Sequence, residues 1–475
     1  MVICIKDFSG VFSMEKNRGS FTGKIGFVLA AAGSAVGLGN IWRFPYLAAK
    51  YGGGIFLLVY IILSVTFGFS LMIAEIAIGR KTGLSPIGAF KKLNKKCSFI
   101  GYIAALIPAL ILPYYSVIGG WVLKYLTKYV TGGAQMAADE NYFGWFTGDP
   151  AQAIIFFCIF IAITAVIVLF GVQKGVEKMS KIMMPILVVL SLGIAIYSCI
   201  VSVRHGGWDG ILYYIKPDIS KFSIMTVVAA MGQLFYSMSL AMGIMITYGS
   251  YMKKDVSIES AVHQIEIFDT GIAFLAGLMV IPAVVSFGGN PESKGPGLMF
   301  ITLPQVFVQM GPILGNIIGA IFFLLVFFAA LTSSISLMET VVSVLEDKFH
   351  WNRKVCCIAV LLFSIALGLP SALGFGVLSK IAPLGLDILS FFDFVTNNVL
   401  MPITAILTCI VVCYIIKPSA VVEEVELSGK FRLKGLFKVM IYAAPVLLLV
   451  ILVFSSIEVL SPETYEKIDA ALRFK

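Results

Sequence analysis

The sequence predicts an all-α integral membrane protein with about 11 transmembrane helices. Of its 475 residues, 59% are hydrophobic and 13% are charged, and the mean hydropathy is +0.97. Apolar stretches close to the ~20 residues that cross a bilayer recur along the whole chain. They cover approximately residues 25–47, 54–79, 97–123, 152–170, 182–203, 224–249, 258–287, 313–345, 354–373, 386–416 and 439–457. No large polar segment separates them, so we expect one polytopic domain.

The distribution of lysine and arginine predicts the orientation, because these residues accumulate in cytoplasmic loops. With the N-terminus inside, the inner segments carry 23 of the 35 basic residues and the outer segments carry 11. We therefore expect a cell (inner or plasma) membrane protein with a cytoplasmic N-terminus and an external C-terminus. The predicted parts are a cytoplasmic segment (1–24), a first repeat (25–203), a second repeat (224–416) and a final part with an inner loop, helix eleven and the C-terminus (417–475). Residues 1–13 look like an extension, since Met14 would serve equally well as a start.

Composition and motifs exclude several other classes of protein. The net charge of +9 is spread over the loops, so nucleic acid has no basic domain to bind. The sequence contains no Walker-A loop, no H-E-x-x-H motif and no G-x-S-x-G elbow, and we expect no enzyme. The eight cysteines show no metal-binding or external pairing pattern and are expected to be small buried apolar residues.

The first apolar stretch is interrupted in its middle by glycine. The run from Gly33 to Asn40 contains three glycines, and Arg43 follows at once, which places two polar side chains at membrane depth. In hydrocarbon, a backbone N–H or C=O group freed from a helix costs several kcal/mol, so irregular backbone survives where it lines a cavity or a ligand. The alternative is a packing face of small residues at Gly33 and Gly37.

The sixth apolar stretch has a similar interruption, with Ser237 and Ser239 between Gly232 and Gly243. If stretches 1–5 and 6–10 are two halves, the two interruptions occupy corresponding positions. Interruptions paired in this way indicate the binding site of a secondary transporter.

Polar side chains in two further stretches accompany the breaks. The run Thr332–Ser334 lies in the eighth stretch, where its hydroxyls can bond to their own helix or supply hard oxygen ligands to a small cation. Asp269 lies about eleven residues into the seventh stretch. Because an ionised side chain near the bilayer centre costs roughly 2.5–3.5 kcal/mol, it should be paired with a cation or serve function.

These segments together resemble the neurotransmitter:sodium symporter family. The run Gly33–Pro45 resembles the first-helix motif of that family, and further matching motifs occur in the family's order. They are Ala74-Glu75, Gly79-Arg80, Tyr114-Tyr115, Ser237-x-Ser239, Ile246-Thr247-Tyr248 and Leu331–Ser334. Eleven spans with short external loops look like the bacterial amino-acid branch. The resemblance implies a 5+5 inverted repeat (the leucine-transporter fold), unwound helices 1 and 6, and sodium-coupled uptake by alternating access.

The resemblance also implies two sodium sites made only of oxygen atoms, as a hard cation needs. The first would use the carbonyl of Ala35 and the side chains of Asn40, Ser237 and Asp269. The second would use the carbonyls of Gly33, Val36 and Ala329 and the hydroxyls of Thr332 and Ser333. Chloride-dependent relatives have asparagine where this chain has Asp269, with a serine one turn later where this chain has Ala273. A fixed carboxylate beside sodium offsets its charge, so we expect chloride-independent transport, with proton antiport through Asp269 as a related hypothesis.

Gly37 predicts the class of substrate, because the monoamine transporters that resemble this chain place an aspartate there for a ligand without a carboxylate. With glycine, the ligand must bring its own carboxylate, which would meet the amides of Leu38 and Gly39 at a half-helix N-terminus. The residues expected around the substrate are Ala35, Leu38, Gly39, Ile111, Tyr115, Ile118, Tyr236, Ser237, Ser239, Met242, Ser333 and Leu337. Their mostly apolar, uncharged side chains favour a hydrophobic or aromatic L-amino acid.

Alternating access requires gates and a hinge, which the resemblance also places. The expected outer gate is Arg43 with Asp393, helped by Gln233. The expected inner gate is Arg18 with Asp347, supported by Ser250 and Tyr251, with Phe21 at the base of helix one. Gly175 and Pro185, with nine residues between them in helix five, are the expected hinge, because proline removes a backbone donor and glycine lowers helix propensity.

The function favoured by these features is a sodium symporter that acts as a monomer or weak dimer in lipid. The alternative is an amino-acid-sensing membrane receptor or a channel, for which the same sites would bind a ligand without concentrating it. Sodium-driven accumulation separates the two, since a channel equilibrates its substrate and does not concentrate it.

Overall fold

The computed structural model describes residues 19–292 and 296–472, and these residues form helices and loops without a β-strand. The helices of the bundle are α1 (Lys24–Ala35), α2 (Gly39–Lys50), α3 (Gly54–Thr82), α4 (Lys95–Val130), α5 (Pro150–Leu169), α6 (Val172–Gly206), α7 (Ile224–Ser237), α8 (Ile244–Ser250), α9 (Ile258–Ser286), α10 (Pro312–Phe349), α11 (Arg353–Leu373), α12 (Ile388–Ile415), α13 (Lys434–Leu460) and α14 (Pro462–Leu472). Shorter helices in the connections are Pro86–Leu93, Ala134–Ala137, Tyr142–Gly148, Asp209–Ile215, Leu298–Gln309 and Lys417–Glu426.

The number of spans agrees with the sequence once the broken helices are counted. Within the described ranges, nine helices are long and apolar enough to cross a membrane, and α1 with α2, bent by 51°, forms a tenth span. The shorter apolar helix α7 is continued by α8 after a break at residues 238–243, at the position of the sixth predicted stretch. Following the predicted orientation, we call the side at Lys24 the inner side and the side at Lys50 the outer side.

The break in the first span satisfies its own backbone groups, as a membrane interior requires. Val36 turns to an extended conformation (ψ 96°), which ends α1, and its N–H donates to Ala32 O at 2.7 Å. Beyond it, Gly37 N donates to the Asn40 side-chain oxygen at 3.1 Å, and Asn40 N donates to Gly37 O at 3.2 Å. The sequence around Gly37 therefore closes its own turn, with an asparagine in place of helical partners.

The break in the sixth span has three residues with left-handed backbone: Ser239 (φ 54°), Ala241 (φ 62°) and Gly243 (φ 73°). Only glycine adopts this region without strain, so the two other residues must be held there by contacts. The carboxylate of Glu75 on α3 accepts from Ala241 N at 2.8 Å, and Leu240 N donates to Phe235 O at 3.2 Å. These bonds fix the break in the interior of the bundle.

The broken spans lie at the centre of the bundle, and the last span lies at its edge. Gly79 on α3 meets the backbone of Ile246 so closely that a Cβ would collide with it, which brings α8 against α3. The share of the apolar window that is buried is 61% for α9 and 28% for α13. The core therefore surrounds the two breaks, and α13 is largely open to lipid.

Candidate functional site

A small cavity lies between the breaks of the two broken spans. It is lined by Ser34, Ala35, Gly37, Leu38, Gly39, Asn40, Ile111, Tyr115, Tyr236, Ser237, Ser239, Met242, Ile244, Ser333 and Leu337. Every residue predicted around the substrate is in this lining except Ile118, which is buried elsewhere. Ile111 and Tyr115 line the cavity from one face of α4, and that face continues past the end of the cavity to Ile118.

Gly37 keeps one wall of the cavity open. A Cβ at this position would lie 2.6 Å from Ser333 Oγ and 3.1 Å from the Tyr115 hydroxyl. The neighbouring amide, Leu38 N, donates to the same Tyr115 hydroxyl at 3.3 Å. The Tyr115 hydroxyl, which accepts from this amide, therefore borders the space beside Gly37 and can donate to an oxygen of a ligand placed there.

The outer end of the cavity is covered by Tyr236. Its ring packs on Gly39, where a Cβ would collide with it, and the Arg43 guanidinium carbon lies 5.7 Å from its centroid. Gln233 donates through Nε2 to Gly39 O at 2.9 Å. Two of the predicted outer-gate residues therefore lie on this aromatic cover.

The predicted outer gate pair is not in direct contact. Asp393 accepts from the Tyr114 hydroxyl at 3.3 Å and from Asn397 Nδ2 at 2.6 Å. Arg43 and Asp393 are both described, and no nitrogen–oxygen distance of 4 Å or less joins them in this structure. A full outer closure would require Arg43 to move towards Asp393.

Asp269 is fully buried and brings together the side chains predicted for the first sodium site. Its Oδ1 accepts from Asn40 Nδ2 at 2.7 Å, and its Oδ2 accepts from Ser237 Oγ at 3.3 Å. Tyr60, which the sequence did not indicate, donates its hydroxyl to Oδ2 at 2.7 Å and lies 2.6 Å from Ser237 Oγ. Ala35 is buried at the end of α1 beside this group. The carboxylate and hydroxyl oxygens of this group are ligands that suit a hard cation, whereas Asn40 presents Nδ2 to Asp269 and its side-chain oxygen to Gly37 N.

The charge of Asp269 has no protein counter-ion within the part of the chain that the structure describes. Its carboxylate accepts hydrogen bonds from neutral donors. Among the described residues, no lysine, arginine or histidine forms a salt bridge with it. A carboxylate at membrane depth is costly unless a positive charge lies close to it. A sodium ion bound at the Asp269 carboxylate would therefore supply the missing positive charge.

Residues predicted for the second sodium site also come close to one another where α1 crosses α10. Ser333 Oγ lies 3.5 Å from Gly33 O, and a Cβ on Gly33 would lie 3.3 Å from Thr332 Cβ. Thr332 Oγ1 bonds to Ala329 O of its own helix at 3.1 Å. Val36 is buried as the first residue after α1. Hydroxyls and carbonyls are the only polar groups in this set, which fits a small hard cation.

A cluster of serine hydroxyls, which the sequence did not indicate as a group, ties both breaks to α10. Ser34 Oγ lies 3.0 Å from Ser239 Oγ and 2.7 Å from Ser336 Oγ. Ser239 Oγ in turn donates to Ser34 O at 2.9 Å. These bonds connect the two broken spans beside the cavity, so the geometry of one break depends on the other.

Aromatic packing around Phe21 closes the inner side. The Phe21 ring centroid lies 5.6 Å from those of Phe27 and Tyr248 and 6.1 Å from that of Tyr251. Its backbone N–H donates to Tyr251 O at 3.1 Å. The segment before α1 is therefore fixed to the inner end of the sixth span.

The predicted inner gate is only partly within the described residues. Arg18 lies outside them. Asp347 accepts from Ser85 N at 2.7 Å, and Ser250 Oγ bonds to Thr247 O of its own helix at 2.5 Å. The predicted support by Ser250 is therefore a helix-internal bond in this structure.

Glu339, which is buried, and Arg353, which is half-buried, form an ion pair at the inner closure, and the sequence did not indicate them. Glu339 on α10 is fully buried and pairs with Arg353 at the start of α11. The Tyr251 hydroxyl donates to Glu339 Oε1 at 2.8 Å, and Arg353 Nη2 donates to Val168 O at 2.7 Å. The pair therefore connects α5, α10 and α11 to Tyr251, whose backbone carbonyl accepts from Phe21 N–H.

Arg353→Gln is expected to destabilise the protein, because it leaves the Glu339 carboxylate buried without its cation. Removing one partner of a buried pair costs roughly 3–5 kcal/mol. Thermal melting in detergent should show a lower Tm than for wild type and than for Lys354→Gln, which changes the exposed neighbouring charge. The double variant Arg353→Gln/Glu339→Gln should recover part of the lost stability. If Arg353→Gln has the same Tm as wild type, the ion pair does not stabilise the protein.

The predicted hinge lies where the segment before α1 is anchored. Gly175 belongs to a π-helical turn, Val172–Glu177, and packs so closely on Ile167 O that a Cβ would collide with it. Glu177 is buried in this turn and accepts from Thr22 N at 2.9 Å. Pro185 lies further along the same helix. An opening of this turn would therefore release the anchor of α1, which is the physical basis for the predicted hinge.

Two broken membrane helices that enclose an uncharged cavity between oxygen-rich pockets define a secondary transporter. The family model described as the sodium:neurotransmitter symporter family matches residues 18–143 and 146–470. The chain belongs to this family, as its motifs predicted, and it is a transporter and not an enzyme.

Relatives agree with this assignment over nearly the full length. The chain is 34% identical over 433 residues to the uncharacterized sodium-dependent transporter YhdH of Bacillus subtilis (strain 168), covering 90% of this chain and 94% of the relative. It is 31% identical to an uncharacterized sodium-dependent transporter of Haemophilus influenzae (strain ATCC 51907 / DSM 11121 / KW20 / Rd), covering 92% and 98%. The crystal structure of MhsT in complex with L-phenylalanine matches with a TM-score of 0.84 and 36% identity, over 92% of this chain and 99% of that one. The protein is thus a multi-pass membrane transporter that uses sodium and binds a small-molecule substrate.

Proposed function

We propose that this protein imports a hydrophobic or aromatic L-amino acid with sodium by alternating access, without a need for chloride. The observation that carries the proposal is Gly37, because its missing side chain leaves a space that the Tyr115 hydroxyl borders, next to the Leu38 amide. The substrate carboxylate would bind there, beside the first sodium ion. The complex of MhsT with L-phenylalanine supports a substrate of this class.

The cavity walls support an apolar side chain on the substrate. Ile111, Met242, Ile244 and Leu337 are aliphatic or thioether side chains, and Tyr236 adds an aromatic face. The lining contains no lysine, arginine, aspartate or glutamate. A charged substrate side chain would therefore lose its hydration without gaining a partner, which disfavours it strongly.

The two oxygen sets support two sodium sites, one at Asp269 and one between α1 and α10. Sodium at the first set would contact the substrate carboxylate as well as Asp269, so ion and substrate would each raise the affinity for the other. Sodium at the second set would hold α1 on α10 until the turn at Gly175 opens. We propose that the N-terminus is cytoplasmic, so that this release delivers substrate to the cytoplasm of the cell.

Uptake into proteoliposomes tests the proposal. With a sodium gradient directed inwards, radiolabelled L-phenylalanine should accumulate above its external concentration, and with choline in place of sodium it should not. A receptor or channel with the same cavity would bind or equilibrate the label without concentrating it. Equilibration alone, at any sodium gradient, would exclude a symporter.

Chloride independence is a separate expected result. Because the Asp269 carboxylate supplies a fixed negative charge beside the first sodium site, replacing chloride with gluconate on both sides should change the initial uptake rate by less than about twofold. A loss of most of the uptake in gluconate would contradict this role of Asp269, while leaving sodium coupling itself in place.

A further inference from the structure

The chain returns onto the outer side of the bundle after its last span. At the end of α13, Ser461 O accepts from Tyr465 N at 3.0 Å and the chain turns into α14. Tyr465 and Asp469, one helical turn apart, are 5% and 7% exposed, whereas Glu466 and Lys467 between them face solvent. The helix is therefore amphipathic and docked by one face, although it is only eleven residues long.

The docked face of α14 bonds to the outer ends of both broken spans. The Tyr465 hydroxyl lies 3.0 Å from that of Tyr51, the first residue after α2, and both side chains are buried. Asp469 Oδ1 accepts from Ser223 Oγ at 2.8 Å. Ser223 is the N-cap of α7, and its Oγ also accepts from Met225 N at 3.1 Å. The Asp469 carboxylate thus lies close to the positive end of the α7 dipole.

We propose that α14 is a strap that couples the outer ends of α2 and α7, so that the outer halves of the two broken spans move as one unit. The strap holds each half at the end farthest from its break, because Tyr51 follows the outer end of α2 and Ser223 precedes the outer end of α7. One half comes from the first repeat and the other from the second, so a helix anchored to both restricts their relative movement. This coupling goes beyond the proposed substrate and ions and does not depend on either.

Hydrogen–deuterium exchange on the full-length protein in nanodiscs tests the strap. The variant Tyr465→Phe/Asp469→Asn removes the two bonds with little change in volume, and Glu466→Gln/Lys467→Gln changes the exposed face as a matched control. In the first variant, the amides of residues 47–54 and 223–230 should both exchange at least tenfold faster than in wild type. In the control, they should exchange as in wild type.

Two results would overturn the strap. One is faster exchange confined to residues 462–472, which would mean that α14 docks without holding the spans. The other is faster exchange at only one of the two span ends, which would mean that it caps a single helix. A stop after Ser461 provides a second variant, which should accelerate both ends at least as much as the double substitution does. The readout needs neither substrate nor transport, so failure of the proposed function would leave it unaffected.

Discussion

Asp269→Asn is expected to weaken sodium-dependent binding of the amino acid by roughly 100-fold in chloride-free buffer. Unit charges about 4 Å apart interact with ~4 kcal/mol at an effective dielectric constant of ~20, and most of this attraction is lost when the carboxylate becomes an amide. Asn40, Tyr60 and Ser237 stay in place as neutral oxygen and amide groups, so the variant should fold. The measurement is the sodium concentration that gives half-maximal substrate binding, in sodium gluconate with choline as the balancing cation.

Glu266→Gln is the matched control for Asp269→Asn. Glu266 is also a buried carboxylate on α9, three residues earlier, but it bonds to His263 and not to the predicted sodium ligands. Its neutralisation should leave the sodium dependence within about threefold of wild type. Adding chloride to Asp269→Asn is expected to restore part of the affinity, since a mobile anion can replace the fixed one. If Asp269→Asn and wild type have equal sodium affinity, Asp269 does not contribute to the sodium site.

Gly37→Asp is expected to abolish binding of amino acids, with a loss of at least roughly 1,000-fold in affinity. The new Cβ would already lie 2.6 Å from Ser333 Oγ, and the added carboxylate would fill the space proposed for the carboxylate of the substrate. Two carboxylates at one position repel each other, and one would be buried without a partner. The measurement is direct binding of radiolabelled L-phenylalanine and of radiolabelled phenethylamine to the variant and to wild type, because the amine lacks the carboxylate that causes the conflict.

A pair of alanine variants separates the loss of space from the charge effect. Gly37→Ala should weaken binding by about tenfold, since it displaces Ser333 without adding charge. Gly193→Ala on α6, where a Cβ meets nothing within 4 Å, should bind as wild type does. If Gly37→Asp keeps the affinity of wild type for L-phenylalanine, the carboxylate of the substrate does not bind at Gly37.

The breaks and the cavity could be predicted because membrane physics leaves few explanations for their residues. Glycines together with Asn40 in the middle of an apolar span require a site, and Asp269 in the next repeat requires a counter-charge. The structure places Asn40 in the cavity lining with the residues predicted for the substrate, and Asp269 accepts a hydrogen bond from Asn40. Ile118 was the exception, because helical periodicity identifies a face but does not say where along that face a cavity ends.

Other parts of the site carry no local signal in the sequence. Tyr60 is one tyrosine within an apolar helix, and Arg353 resembles any loop charge until α11 is seen to begin beside Glu339. The distance between Arg43 and Asp393 depends on which conformation the bundle adopts, and a sequence encodes several. The docking of α14 depends on tertiary contacts of Tyr465 and Asp469 with residues hundreds of positions away. All of these features depend on contacts between residues that are far apart in the sequence, and sequence periodicity does not reveal such contacts.

We propose that one cavity binds an L-amino acid and sodium together through the carboxylate of the amino acid. The most direct measurement is the Tm of the purified protein with L-phenylalanine, L-lysine, L-glutamate or phenethylamine, each in sodium gluconate and in choline gluconate. Because a ligand stabilises the state that it binds, only L-phenylalanine in sodium should raise the Tm substantially. An equal rise in Tm with phenethylamine, with a charged amino acid, or with L-phenylalanine in choline would contradict joint binding of sodium and an apolar amino acid in this cavity.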